Sequence, residues 1–473
     1  MTFSSLGLSP ALTETVSRLG YQTPTDIQTQ AIAAMLKGAD VLAIAETGSG
    51  KTAAFALPIL EQLLRHPSAP VESQSAQRLQ LEALYASRAA SRLRALVLVP
   101  TRELAEQVAV SVNRYAGDSG LVALAVYGGV NIRAQTRALA EGVDVLVATP
   151  GRLWDLICHF GLSLDAVRYL VLDEADRMLD MGFAPAIDKI RTRLGAHQSA
   201  LFSASFGERE RALAQRWLRQ PVTVETAGTG TTPEQLSVEL FHLDRRRWAE
   251  WLAELVGKRN YGQTLVFVGT KDSANNLVRE LKLDGLRAEA FHGDKTQGAR
   301  RRGLDEFKRS AVRLLVATDV AARGLDIAKL PVVISLGMPH SEEDLLHRLG
   351  RSARAGNAGH AIVVLERDDK AGLAQLAAVC PGLPEAVTPA GYGPKDPLPE
   401  RYRNQQGGNQ PSGNQQGRNS KSANTSARSS TRKAAQGTGK PRQRSSDRPG
   451  KDQRPARSSE KGRSNSGRSG WQK

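Results

Sequence analysis

The chain has 473 residues, 40% of them apolar, and a formal net charge of +16 at pH 7. That length accommodates more than one domain and that apolar share is enough for packed cores, while no run approaches the ~20 apolar residues of a membrane-spanning helix. The opening MTFSSLGLSP lacks the basic and apolar regions of a signal peptide. Cys158 and Cys380 lie far apart, make no metal spacing, and are expected to be buried thiols in a reducing cytoplasm.

In chain order, short apolar runs alternate with helix-length stretches. They are VLAI (41–44), ALVLV (95–99), LVALAVY (121–127), VDVLVA (143–148), YLVL (169–172) and SALF (199–202). Several are apolar throughout, as parallel strands covered on both faces must be, and the spacing suits βαβ crossovers. Residues 65–94 interrupt the pattern with a long polar connection in which LQLEALYASRAASRL is helix-compatible but shows no clean face; no function follows from it. The Gly/Thr/Pro break AGTGTTPEQ (227–235) reads as a linker. The pattern then restarts with SVELFHL (237–243), TLVFV (264–268), RAEAF (287–291), VRLLVA (312–317), PVVISL (331–336) and HAIVVL (360–365). The expectation is an α/β chain of two tandem doubly wound parallel-sheet domains, residues 1–226 and 237–383, joined by a linker at 227–236.

Residues 384–473 are expected to form a disordered basic tail. From Arg401 to Lys473 the chain carries 18 Lys/Arg against 3 Asp/Glu, a net +15, which leaves +1 for residues 1–400. Tyr402 and Trp471 are the only aromatic residues after position 400. Such a segment buries too little apolar area to offset chain entropy, and its charge asymmetry points to a polyanion partner.

Two strand ends carry the chemistry. VLAIAETGSGKT (41–52) is an apolar run followed by a loop of small residues and a helix-compatible stretch, the setting of a P-loop. Backbone amides of such a loop converge on phosphate, aided by the helix N-terminus. The loop residues are Ala45, Glu46, Thr47, Gly48, Ser49, Gly50, Lys51 and Thr52. Gly48 and Gly50 permit close approach, Lys51 supplies a cation for the β/γ-phosphates, and the Thr52 hydroxyl suits Mg²⁺. Ala45 stands where the regular pattern has glycine. YLVLDEAD (169–176) delivers carboxylates: Asp173 to hold Mg²⁺ through water, Glu174 to polarise an attacking water.

The whole set resembles the DEAD-box ATP-dependent RNA helicases of superfamily 2, over roughly residues 1–370, in order and in register. The resemblance implies RecA-like domains, with ATP and Mg²⁺ as cofactors and RNA as partner. Residues 1–29 resemble the adenine-reading Q motif, which implies that Gln28 bonds the adenine edge and Phe3 stacks on it. PTRELA (100–105), Gly128-Gly129 and TPGR (149–152) resemble RNA-backbone motifs, implicating Pro100, Thr101, Arg102, Gly128, Gly129, Thr149, Pro150, Gly151 and Arg152. Arginines there can meet phosphates, and glycines allow backbone approach. In the second domain HGDKTQGAR (292–300) adds Gln297 and Arg300, and ATDVAARGLDI (317–327) adds Thr318 for RNA and Asp326 for the ATP ribose. HRLGRSARAG (347–356) would present Arg351 and Arg354 to the γ-phosphate as arginine fingers. Coupling of hydrolysis to unwinding would fall to Asp176, Ser203, Ser205 and His347.

The chain departs from the family pattern in three places. Glu46 stands where the family usually has Gln, and is expected to point away from phosphate. Ser205 replaces Thr, and Ser352-Ala353 replaces Thr-Gly. Within the family, the SLGL opening, compact core and Gln/Asn/Arg-rich tail most resemble the bacterial RhlE type. Ribosomal or RNA-decay partners are compatible with this reading; a membrane partner is not expected. Two rivals remain open at this point: an RNA-binding clamp with a vestigial ATPase, and a superfamily 2 DNA helicase.

Overall fold

The computed structural model describes residues 2–45, 48–67, 93–226, 236–322, 325, 327, 330–352, 359–380, 382–393 and 395–397. The expected linker at 227–235, the polar segment 68–92 and the basic segment 401–473 lie outside the described residues.

Each apolar run becomes a strand. In the first domain these are β1 (Val41–Ile44), β2 (Ala95–Leu98), β3 (Ala123–Val126), β4 (Val145–Ala148), β5 (Tyr169–Leu172), β6 (Gln198–Ser203) and β7 (Val222–Glu225). They form one sheet in the order β3-β4-β2-β5-β6-β1-β7, parallel at every pairing. β7 was not foreseen. It pairs with β1 at the sheet edge, and Val224 is its only buried residue, so VTVE has no apolar run to betray it.

The second sheet contains β8 (Leu236–His242), β9 (Thr264–Val268), β10 (Ala288–Phe291), β11 (Leu314–Ala317), β12 (Val332–Leu336) and β13 (Gly359–Leu365). Its order is β10-β11-β9-β12-β13-β8, again all parallel. Two parallel sheets of this kind place ligands outside the carboxyl ends of their strands.

Order continues past residue 383. Val387 donates to the Leu240 carbonyl at 2.9 Å and accepts from His242 at 3.0 Å. Tyr392 is buried beneath the Arg247 guanidinium, 4.6 Å from the ring centroid, and its hydroxyl donates to Glu254. Residues 384–392, expected in the tail, therefore pack on the second domain. The reason is the open edge of β8, whose unpaired backbone groups this segment satisfies.

Cys380 is buried but Cys158 is exposed, against expectation. Cys158 lies on the outer face of the helix Pro150–Phe160, which turns Leu153 and Leu156 inward.

The apolar cores respect the domain division. Among the described residues, two clusters draw on residues 3–224 and three on residues 240–392, and none of them joins the domains. In the first domain the helix Lys51–Arg65 lies over β6, where Phe55 meets Phe202 edge-on at 5.3 Å between centroids. Both rings are fully buried. Phe202→Ala is expected to cost the first domain about 3–5 kcal/mol through the cavity it leaves, read as an earlier urea transition.

Candidate nucleotide site and nucleic-acid face

β1 and β5 flank β6, so the glycine loop and the acidic tetrapeptide leave the same edge of the sheet on either side of Ser203. The Ala45 amide donates to the Ser203 carbonyl at 3.0 Å and carries β1 one residue further. Gly48 and Gly50 both turn with φ of 93°. A Cβ at Gly50 would come within 2.3 Å of the Gln28 side-chain nitrogen. Glycine is required there both by conformation and by space.

Gln28 is buried and engaged at both ends of its amide. Its Oε1 accepts from the Thr25 backbone at 3.0 Å, and its Nε2 donates to the Gly50 carbonyl at 3.2 Å. The Thr25 hydroxyl donates to the Ser49 carbonyl at 2.9 Å. The start of the helix Asp26–Leu36 thus braces the phosphate loop. Phe3 is buried in the first-domain core. Lys51 is buried at the start of its helix and donates to the Ala45 carbonyl at 2.9 Å, with Thr52 partly exposed beside it. Glu46 and Thr47 lie outside the described residues.

Asp173 is buried, and its amide donates to the Leu98 carbonyl at 3.0 Å. Burial pushes its carboxyl up to about 7, with Lys51 opposing and Glu174 adding to the rise. Glu174 turns through left-handed backbone, φ 55°, an uncommon conformation for a side chain of this size. Burial raises its carboxyl as well, while the positive charges of Lys51 and Arg351 pull it down. Its Oε2 is buried without a hydrogen-bond partner. Two carboxylates held this way, facing one lysine, suit a divalent cation carried by phosphate.

Asp176 gathers the residues expected to couple the site to motion. Its amide donates to the Ser203 hydroxyl at 3.3 Å, and its carboxylate accepts from the Ser205 amide at 3.3 Å and hydroxyl at 3.4 Å. Ser205 keeps the hydroxyl this contact uses. The next residue, Arg177, reaches the second domain: it donates to Asp344 at 3.0 Å and to the His347 ring. Sequence reading assigned nothing to Arg177 or Asp344, which are brought together only by folding.

Arg351 is buried and donates to the Leu325 carbonyl at 2.8 Å, with its charge felt at Glu174. Arg348, also unassigned from sequence, is locked by two 2.6 Å bonds to Asp319 and by bonds to Ser335 and Gly337. Arg354 and Asp326 lie outside the described residues.

The residues expected to meet RNA divide into two groups. Arg102 is partly exposed, and its guanidinium lies against Gly129, where a Cβ would come within 2.2 Å of it. Gly129 and Gly151 are exposed, and Gly128 and Thr318 are partly so. Pro100, Thr101, Thr149 and Pro150 are buried at the starts of two helices, where the Thr101 hydroxyl accepts from Leu104 at 3.3 Å. Arg152, by contrast, is buried and points inward, donating to Gln135 at 2.6 Å and to the Val130 carbonyl at 3.0 Å. It braces the turn that holds Gly128 and Gly129. Gln297 and Arg300 are buried across the domain boundary on Glu103, at 3.2 and 2.8 Å. Glu103 was read only as part of PTRELA; its charge partner comes from the other domain.

The raised Asp173 carboxyl has a stability consequence. Between its unfolded value of 3.8 and about 7 the native state holds the extra proton. Stability is therefore lost as pH rises through that window. Asp173→Asn is expected to flatten this slope, measured by urea denaturation at a series of pH values.

Residues 25–213 match the family model for DEAD/DEAH box helicases, and residues 248–356 match that for the helicase conserved C-terminal domain. The chain is 40% identical over 365 residues to the DEAD-box ATP-dependent RNA helicase 52A of Oryza sativa subsp. japonica, covering 74% of this chain and 59% of the rice protein. It thus spans about three-fifths of that relative's length. Among solved structures, S. cerevisiae Dbp5 bound to RNA and ADP BeF3 superposes with a TM-score of 0.65 at 28% identity, covering 82% of this chain and 95% of that one. Mss116 bound to ssRNA and UDP-BeF gives a TM-score of 0.68 at 26% identity, covering 82% and 81%. Both family models fall on the two sheets in the expected order and together take in more than half of the chain. The chain belongs to the DEAD-box helicase family.

Proposed function

We propose that this protein is an RNA-dependent ATPase that unwinds short RNA duplexes, or remodels RNA–protein complexes, by closing its two domains on RNA. The observation that carries this is the division of the ATP site: Lys51, Asp173 and Glu174 stand in one domain while Arg351, whose charge reaches Glu174, stands in the other. A complete site then exists only when the domains meet.

In this reading Lys51 binds the β/γ-phosphates, and Thr52 and Asp173 hold Mg²⁺. The bound ion supplies charge neutralisation at the phosphates. Glu174 orients and deprotonates the attacking water, and its unpartnered Oε2 is the atom available for that bond. Arg351, with Arg354, stabilises charge that develops on the γ-phosphate. Gln28 and Phe3 serve adenine, and Asp326 the ribose. Asp176, Ser203, Ser205 and His347 transmit the state of the site. RNA is held through its backbone by Arg102, Gly128, Gly129, Gly151 and Thr318, with Arg152, Gln297 and Arg300 shaping that surface. Phosphate and 2′-hydroxyl contacts select RNA over DNA with little reading of sequence.

The protein is of the bacterial RhlE type and works in the cytoplasm, with ribosomal or RNA-decay factors as partners. The segment 401–473 tethers it to RNA. The tether is supported by the net +15 that the segment carries.

ATP hydrolysis measured with RNA, with DNA and without nucleic acid tests the main reading. RNA is expected to stimulate it, and Glu174→Gln to lower the stimulated rate by about 10²-fold or more. Equal rates under all three conditions would sink the coupling, and stimulation by DNA would favour the DNA-helicase rival. Deleting residues 401–473 is expected to weaken RNA binding and flatten its dependence on salt, because fewer counterions are released. An unchanged salt slope would remove the tether.

A further inference from the structure

Arg177 is an arginine with only 5% of its side chain exposed, directly behind the acidic tetrapeptide, and the mechanism above gives it no role. Its guanidinium donates to Asp344 at 3.0 Å and to the His347 ring, and lies 3.6 Å from Asp180. Asp344 and His347 lie on the helix Glu342–Leu349, whose end leads straight into Arg351. We propose that Arg177 and Asp344 form a polar latch between the domains, making Arg177 a positioning residue for Arg351. This rests on reading the chain as an ATPase that works by domain closure.

Three features make the latch act on Arg351 rather than only on packing. The helix is fastened to its own domain by Arg348, bonded to Asp319, Ser335 and Gly337, so it moves with that domain as one piece. On the other side, the Arg177 amide donates to Asp176 at 2.9 Å, and Asp176 holds Ser205. One residue therefore connects, by its amide on one side and its guanidinium on the other, the serines beside the phosphate loop to the segment bearing the finger. Finally, among the described residues no apolar cluster joins the domains, while Arg177 and Glu103 each meet polar partners across the boundary. The guanidinium suits the task because its fork serves a carboxylate and a ring nitrogen at once, which a lysine cannot do. When the domains part, both charges return to water, so such a latch holds without locking.

Four full-length proteins test this: wild type, Arg177→Glu, Asp344→Arg and the double swap. Each single change is expected to lower RNA-stimulated kcat about tenfold or more. Affinity for a fluorescent ADP analogue is expected to stay within about twofold, because the phosphate loop is held by Gln28, Thr25 and the Ser203 carbonyl, none of which either change touches. The double swap should recover kcat to within about threefold of wild type. Asp344→Asn controls for folding: it should lose kcat while keeping the wild-type melting temperature. Single variants at wild-type kcat, or a double swap no better than either single, would overturn the latch. A wild-type rate indifferent to RNA would instead overturn the functional reading. Energy transfer between labels on the exposed Cys158 and on Leu283→Cys then still reports whether the pair governs closure with ADP–beryllium fluoride.

Discussion

Carboxylates at the end of a buried parallel strand persist there only if a cation faces them. Asp173 and Glu174 are raised by burial, and Lys51 is the first charge that opposes the rise in both. That lysine is itself buried and tied to the Ala45 carbonyl. The local geometry serves this arrangement. Gly50 makes room for Gln28, Gln28 braces the loop, and Ala45 hangs from Ser203 on the strand between the two motifs. Burial strengthens each of these interactions by lowering the dielectric around the charges.

The relation between the domains follows a different rule. Each has its own apolar core, and polar side chains meet across the boundary: Arg177 with Asp344 and His347, and Glu103 with Gln297 and Arg300. Burying charge in pairs costs desolvation that the pairing largely offsets, so such contacts give geometry more than strength. An interface of this kind suits domains that close and reopen within a cycle. It also brings motif residues into roles beside ligand contact. Arg300 sits over Phe291 and on Glu103, and Arg152 reaches Gln135 and Val130, so both guanidiniums are engaged within the protein.

Most strands were legible because a strand covered on both faces must be apolar throughout, and VLAI, YLVL and TLVFV appear as read. β7 escaped because an edge strand needs only Val224 inside. The end of the second domain was misjudged because residues 384–392 are held by backbone pairing on β8 and by Tyr392, signals too sparse for composition to register. Cys158 was expected inside, but its helix presents it outward. At the site, Gly48–Thr52 and Asp173–Asp176 follow β1 and β5, a placement legible in the chain because strand and loop are neighbours in sequence.

Fold class, the succession of two parallel-sheet domains and the family were all legible in the chain alone. Each depends on residues close together in the chain, or on a periodicity that neighbouring residues share. The partners of Arg177, Arg348, Glu103 and Arg152 came from folding alone. Those contacts join residues separated in most cases by tens to nearly two hundred positions, and a charged side chain carries no mark of which opposite charge the fold will bring to it.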